Sequence, residues 1–405
     1  MERTVWTNWV GNQSFKPARF ETAVDEAQVV DAVQRAHGET QSIRTAGSGH
    51  SFTPIVATKG VHLDMSSMRG VVSIDAEART VSAQSQTQIR DFYEPLWQAG
   101  LALKNQGDID TQAIAGAIAT STHGSGTAFG SFSSTLVGCR IVDGEGRVRS
   151  LARDLDPGSF PAIQCAIGTL GIMTEVTLAV MPAYHLHETI LFMPADEVIE
   201  RWEEFKSSYR HFSFFWMPTD HSSELYGFAP ARADDCMVKL YRETQEAPGL
   251  PSLPGNERID RCYRIYPHEF EPNFHELEYF LPAEDGLEVF KAHRELMLRN
   301  LPISMFPMEV RFVAADEAWI SPNFQRDNIV ISVSGKPGTD YWPYLKLCDA
   351  HLFAAGGRPH WGKLHFMTAK RMSDVFPRYE DFCRVRRSFD PKDLFLNDHL
   401  KHFLQ

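Results

Sequence analysis

A strand that empties into a glycine turn constrains this chain more than any other feature. Ser42–Ala46 reads as extended, and Gly47-Ser48-Gly49-His50-Ser51 follows at once. Two glycines there let the backbone approach a ligand closely and aim successive N–H groups at an anion, as a diphosphate requires. The Rossmann fingerprint is absent: the GxGxxG spacing is missing, and His50 stands where the third-glycine region would begin. Taken alone, such a turn is more often a plain tight connection between strand and loop.

The surroundings alternate short strands and helices. Ala23–His37 predicts a helix from Val29, Val33 and Ala36 at helical spacing, with Gly38 closing it. Val71–Ile74 and Thr80–Gln84 predict a hairpin around Asp75–Arg79, and Thr87–Ala99 a helix ended by Gly100. After Gly171 the period becomes two: Ile172, Val176, Leu178 and Val180 face one way, Glu175 and Thr177 the other, until Pro182. A domain border is expected there. Pro248, Gly249, Pro251, Pro254 and Gly255 mark a surface excursion. Ile329–Ser334 reads as a strand, Tyr341–Ala355 as a helix stopped by Gly356-Gly357, and His360–Phe366 as a further strand. The class is α+β in two parts.

Three more segments carry chemistry. Asn105-Gln106-Gly107-Asp108-Ile109-Asp110 leads into Ala113–Gly126, where small residues at nearly every other place let a flat ligand lie against the backbone. Thr120, Thr122, His123 and Ser125 can supply hydrogen bonds there, although a tightly packed small-residue helix fits equally well. In Met308-Glu309-Val310-Arg311-Phe312, alternation puts Glu309 beside Arg311 on one face, either a site pair or an ordinary surface ion pair. In Arg358–His365 a strand period would place Trp361, Lys363 and His365 together, or merely lay a lysine over a tryptophan. His185 and His187 lack a third ligand nearby, so no metal site is expected. Neither a P-loop nor a GxSxG elbow occurs.

Charge narrows the partners. Lys plus Arg number 40 against 52 Asp plus Glu, a net −12, which excludes a nucleic-acid-tracking surface. An anionic ligand must therefore be held by local N–H groups and a few cations. No run reaches the roughly 18 apolar residues of a membrane helix, and the first residues lack the apolar stretch of a secretory signal. A soluble, cytoplasmic protein is expected. The six cysteines show no CxxC spacing and are read as reduced packing residues.

In their order along the chain, these segments resemble the vanillyl-alcohol-oxidase-type flavoproteins, within them the bacterial aldonolactone and alditol oxidase group. The resemblance runs from Thr7-Asn8-Trp9 through His50, Thr122-His123-Gly124, Glu309-x-Arg311 and His360-Trp361-Gly362-Lys363 to Asp390-Pro391 and Asn397. It implies an FAD-binding PCMH-type domain over residues 1–182, a cap substrate domain on a large antiparallel sheet over 183–363, and a tail, 364–405, returning to the first. It also implies covalent FAD through His50 to the flavin 8α-methyl group. Cofactor contacts are expected from Thr45, Ala46, Gly47, Ser48, Gly49, His50 and Ser51, and from Asp108, Ala113, Gly116, Thr120, Thr122, His123, Gly124 and Ser125. Ile172 would contact the adenine end by its backbone, and His360 is expected against the cofactor too. Glu309, Arg311 and Lys363 are the expected catalytic residues, and Asp108, Glu276, Ser332 and Ser334 the substrate contacts. Asp108 departs from the serine usual in the alditol branch; it would bind substrate hydroxyls or turn into an ion pair. Gly107 stands where the family keeps a small residue when dioxygen reaches the flavin.

The implied activity is oxidation of a sugar-lactone hydroxyl, with dioxygen giving hydrogen peroxide. Alternatives are an alditol oxidase, a dehydrogenase using another acceptor, and a non-catalytic flavin carrier.

Overall fold

The computed structural model describes residues 5–246, 248 and 253–405; Gly249 and Pro251 of the expected excursion, and Met1–Thr4, lie outside the described residues. Near the N-terminus, Arg19–Thr22, Val61–Asp64 and Ile43–Thr45 form a three-stranded parallel sheet with Val61–Asp64 central. The helix Glu26–Glu39 connects the outer two. Asp25 caps it by accepting from the Gln28 N–H at 2.9 Å, and Val29, Ala32, Val33 and Ala36 form its buried stripe. Gly38 does not close this helix. Thr40 takes the left-handed turn at φ 50°, a strain of about 1 kcal/mol, while the Gln41 N–H donates to the Ala36 carbonyl at 2.9 Å.

A five-stranded antiparallel sheet follows, in the order Val148–Ala152, Leu136–Val142, Ile172–Ala179, Thr80–Gln84, Val71–Asp75. The hairpin forms as expected, and Ile172–Ala179 buries every second side chain. The predicted Thr87–Ala99 helix is split into a 3-10 turn, Ile89–Phe92, and a short helix, Tyr93–Gln98. Pro95 has no N–H to bond back to Asp91, so the ladder cannot run through.

The larger sheet has eight strands, all antiparallel: Glu257–Arg261, His185–Pro194, Asp235–Thr244, His211–Trp216, Met308–Val313, Asn328–Gly335, His275–Pro282 and Arg358–Pro359. The helices Gly286–Leu298 and Trp342–Ala354 share its main apolar core through Phe290, Met297, Leu345, Cys348 and Leu352. The last forty or so residues turn back. Met372, Phe376, Phe382 and Phe403 join Val81, Leu136 and Val176 in the first core, together with Trp319 and Trp361. Among the described residues no helix is long and apolar enough to cross a membrane, and all six cysteines are buried and unbridged.

One predicted strand is absent. In the C-terminal motif only Arg358–Pro359 forms a strand, and beyond it Leu364 makes a single isolated bridge to Leu277. The Gly362 N–H then donates to His360 Nδ1 at 2.9 Å and the Lys363 N–H to the His360 carbonyl at 3.0 Å, which curls the chain into a turn. Trp361, Lys363 and His365 therefore do not share a strand face: Trp361 enters the first core, while Lys363 lines the cavity described next.

Candidate active site

A cavity of about 240 Å³ is walled by all three of these sheets and by the returning tail. The turn after Ile43–Thr45 supplies Gly47, Ser48, Gly49, His50 and Ser51 to its wall, and Thr45 lines it too. No N–H from Gly47 to Ser51 donates to an acceptor among the described residues. Thr45 Oγ1 and Gln112 Oε1, both buried, also lack partners. Such unfilled donors and acceptors, each costly when buried, fit a bound polar cofactor with an anionic linker.

The small-residue segment is partly helical, Ile114–Ala119. Ala113, Gly116, Thr120, Thr122 and His123 line the cavity with Asp108, Ile172 and His360. Ala46, Gly124 and Ser125 do not. Ser125 instead donates to the Phe212 carbonyl at 2.5 Å, and a Cβ on Gly124 would lie 2.2 Å from the Gln106 carbonyl oxygen. Ser125 thereby ties the small-residue segment to the larger sheet, and Gly124 lets it pack against Asn105-Gln106.

The opposite wall is charged. Alternation along Met308–Val313 points Glu309 and Arg311 inward, where Arg311 Nε donates to Glu309 Oε1 at 2.5 Å and its Nη2 lies 3.8 Å from Asp108 Oδ2. Asp108 also pairs with Lys239 at 3.2 Å, the ion-pair alternative among its two expected roles. Lys363 Nζ donates to Glu276 Oε2. Ser332 and Ser334 are buried off the wall: Ser332 donates to Glu278 Oε2 at 2.5 Å, and Ser334 Oγ is 2.8 Å from the Tyr226 hydroxyl. Glu278 was not singled out in the sequence, although Glu276-Leu277-Glu278 puts two carboxylates on one face of an otherwise apolar strand. It lines the cavity and accepts from His123 Nε2 at 3.1 Å. Aromatic side chains Phe215, Tyr226, Phe270 and Phe274 complete the wall; their roles come from long-range packing rather than from any motif.

Crowding of like charge tunes this wall. Carboxylate oxygens of Glu276, Glu278 and Glu309 lie within 4.8 Å of one another. Burial, reinforced by Asp108, Glu276 and Glu278 and opposed by Arg311, pushes the Glu309 carboxyl up to about 7. Burial works to discharge Arg311, but Glu309 and Asp108 outweigh it and hold the guanidinium ionised. For Glu278, burial is overcome by His123, and its carboxyl lies well below the usual range. His50 is pushed down to about 4 by burial and by Lys363, so its ring is neutral. Its Nε2 is 3.0 Å from Thr111 Oγ1, the Trp9 ring lies tilted against it with centroids 5.2 Å apart, and Nδ1 has no partner among the described residues.

The sequence model of the D-arabinono-1,4-lactone oxidase family matches residues 176–226 and 230–403, and that of an FAD binding domain matches 17–152. L-gulono-1,4-lactone dehydrogenase of Mycobacterium tuberculosis is 32% identical, over 99% of each chain. Alditol oxidase of a Streptomyces species is 27% identical over 99% of each, and L-gulonolactone oxidase of Mus musculus 26% over 97% of each. Among solved structures, cholesterol oxidase of Brevibacterium sterolicum superposes with a TM-score of 0.85 at 14% identity, covering 99% of this chain and 97% of the other. At that identity the likeness concerns the fold.

Proposed function

The chain belongs to the D-arabinono-1,4-lactone oxidase family, in the aldonolactone and alditol oxidase group of vanillyl-alcohol-oxidase-type flavoproteins, and on that footing we propose that it oxidises a hydroxyl-bearing carbon of a sugar 1,4-lactone. In this reading residues 1–182 and 364–405 hold FAD and 183–363 shape the substrate pocket. Bound FAD supplies the acceptor for the hydride of the carbinol C–H. The chain's own groups handle the proton and the charge. Glu309 accepts the hydroxyl proton, its raised carboxyl pKa being matched to neutral pH. Arg311 and Lys363 stabilise negative charge developing in a site shielded from bulk water. Glu276 aims Lys363, and Asp108 holds Arg311 from the other side.

The observation that carries the reading is the convergence of Glu309, Arg311 and Lys363 on the same cavity as the unpartnered N–H groups of Gly47–Ser51. Retention of that trio disfavours a non-catalytic carrier. The match to the D-arabinono-1,4-lactone oxidase family favours the lactone over the polyol, while Asp108, engaged by Lys239 and Arg311, leaves the choice of substrate to other residues of the cap. Anaerobic mixing with L-gulono-1,4-lactone and with xylitol tests this: the flavin is expected to bleach faster with the lactone, and faster bleaching by xylitol makes the protein an alditol oxidase. Readmitted air is expected to restore the colour with one dioxygen consumed per lactone. A flavin that stays reduced in air identifies a dehydrogenase instead.

His50, neutral and with Nδ1 unpartnered, suits a covalent tether to the flavin. Yellow colour is then expected to remain with the acid-precipitated protein. The Glu309 role sets the pH profile. A carboxyl must be ionised to take a proton, so kcat/KM is expected to rise through a pKa near 7. Glu309→Gln is expected to abolish that limb and lower the plateau by about 10² to 10⁴. An unchanged limb in the variant would assign the titration to another group.

A further inference from the structure

Among the described residues, three arginines and lysines line the cavity: Arg44, Arg311 and Lys363. Arg311 and Lys363 are paired with Glu309 and Glu276. Arg44 forms no ion pair among the described residues, although only 4% of it is exposed. Its Nη1 donates to the Gly168 and Phe395 carbonyls, both at 2.6 Å, and its Nη2 to those of Ile55 at 2.7 Å and Ile167 at 3.1 Å. Nε is buried without a partner. All four carbonyl-bearing residues line the cavity, as do Gly171 and Ile172. One guanidinium thus ties three chain segments together: the sequel of the glycine turn, the Ile167-Gly168 turn with its positive φ values of 53° and 64°, and the C-terminal tail.

Neutral carbonyls satisfy hydrogen bonds but leave the net charge uncompensated, and an isolated buried cation is strongly disfavoured. Burial pushes the Arg44 pKa down to about 10, with Asp390 only partly opposing. We propose that the counter-ion of Arg44 is the diphosphate of FAD, so that this residue both clamps the cofactor-binding turns and supplies the buried charge that selects a dinucleotide. The inference rests on the FAD reading above. It also accounts for how a chain of net charge −12 retains a dianionic linker.

A clamp and a counter-charge are separable by ligand. ADP carries the diphosphate and adenosine does not, while both carry the adenine. Full-length protein expressed under riboflavin limitation, so that the tether to His50 has not formed, is titrated with each by calorimetry. The wild type is expected to bind ADP at least tenfold more tightly than adenosine. Arg44→Lys, which keeps the charge but not the four-carbonyl geometry, is expected to weaken both ligands while retaining most of that ratio. Arg44→Gln is expected to cut the ratio below threefold. A ratio preserved in Arg44→Gln overturns the proposal and leaves only the clamp. Should neither variant fold, a wild-type ratio below threefold overturns the proposal. A buried charge is screened little, so the preference is expected to survive about 0.5 M KCl, and its collapse there assigns the discrimination to surface cations. Wild-type protein that purifies without flavin and binds neither ligand would instead refute the FAD reading itself.

Discussion

Replacing Arg311 by alanine is expected to slow flavin reduction about a thousandfold while leaving the flavin content of the purified protein unchanged. Removing one preorganised charge donor from a shielded site typically costs 10² to 10³ in rate, about 3 to 4 kcal/mol. Arg311 is placed at the upper end because two acids depend on it: Nε donates to Glu309 at 2.5 Å, and Nη2 lies 3.8 Å from Asp108. Without the guanidinium, the charges of Asp108, Glu276 and Glu278 push the Glu309 carboxyl further up, so fewer molecules hold it ionised at neutral pH. The substitution thus removes a charge stabiliser and disables the proposed proton acceptor together. Arg311→Lys keeps the charge without the planar fork and is expected to lose less, about ten- to a hundredfold. Stopped-flow absorbance under anaerobic conditions measures both. Reduction within threefold of wild type in Arg311→Ala would remove Arg311 from the mechanism. Because stranding two buried acids also costs stability, about 3 to 5 kcal/mol, each variant's unfolding midpoint belongs beside its rate.

The second large effect concerns stability. Trp361→Ala is expected to lower the unfolding free energy by about 3 to 5 kcal/mol. The indole is fully buried between Phe376 and Phe403, each with ring centroids 5.5 Å away, and its Nε1–H donates to the Ile320 carbonyl at 2.7 Å. It therefore fastens the C-terminal tail to the first core and to the Ala318–Phe324 loop at once. Trp361→Phe keeps most of the stacking and forfeits the hydrogen bond, leaving a buried carbonyl unpaired at a cost of about 1 to 3 kcal/mol. Urea unfolding resolves the two. A loss below about 1 kcal/mol in the alanine variant would show that the tail is held elsewhere. Since Lys363 follows two residues later in the same turn, Trp361→Ala is also expected to slow flavin reduction, whereas Trp361→Phe is not.

Much of the site was legible because it is local. The glycine turn, the inward pair Glu309 and Arg311, and the period-two strand from Ile172 depend on spacing within a few residues, and backbone periodicity alone sets which side chains share a face. The errors arose where distant contacts override periodicity. Gly38 was expected to end a helix that runs on to Glu39, because Thr40 can bond back to the last turn. His360–Phe366 alternates like a strand, yet the core pulls Trp361 in and the turn at Gly362 breaks the alternation. Ser332 and Ser334 were expected in the pocket but are spent on Glu278 and Tyr226, partners no local pattern announces.

Read by itself, the amino-acid sequence was enough to establish the α+β class, the family and the order of the chemistry-bearing segments. The class follows from short-range stereochemistry, and the family from the resemblance that the segments carry together in their order. Only the tertiary structure decided that Asp108 is spent between Lys239 and Arg311, that Glu278 stands behind His123, and that Arg44 is a buried cation without an acidic partner. Those outcomes depend on which charges meet across 100 residues or more of chain and on how much water is excluded when they do. Both are properties of the packed interior and are invisible in any window of sequence.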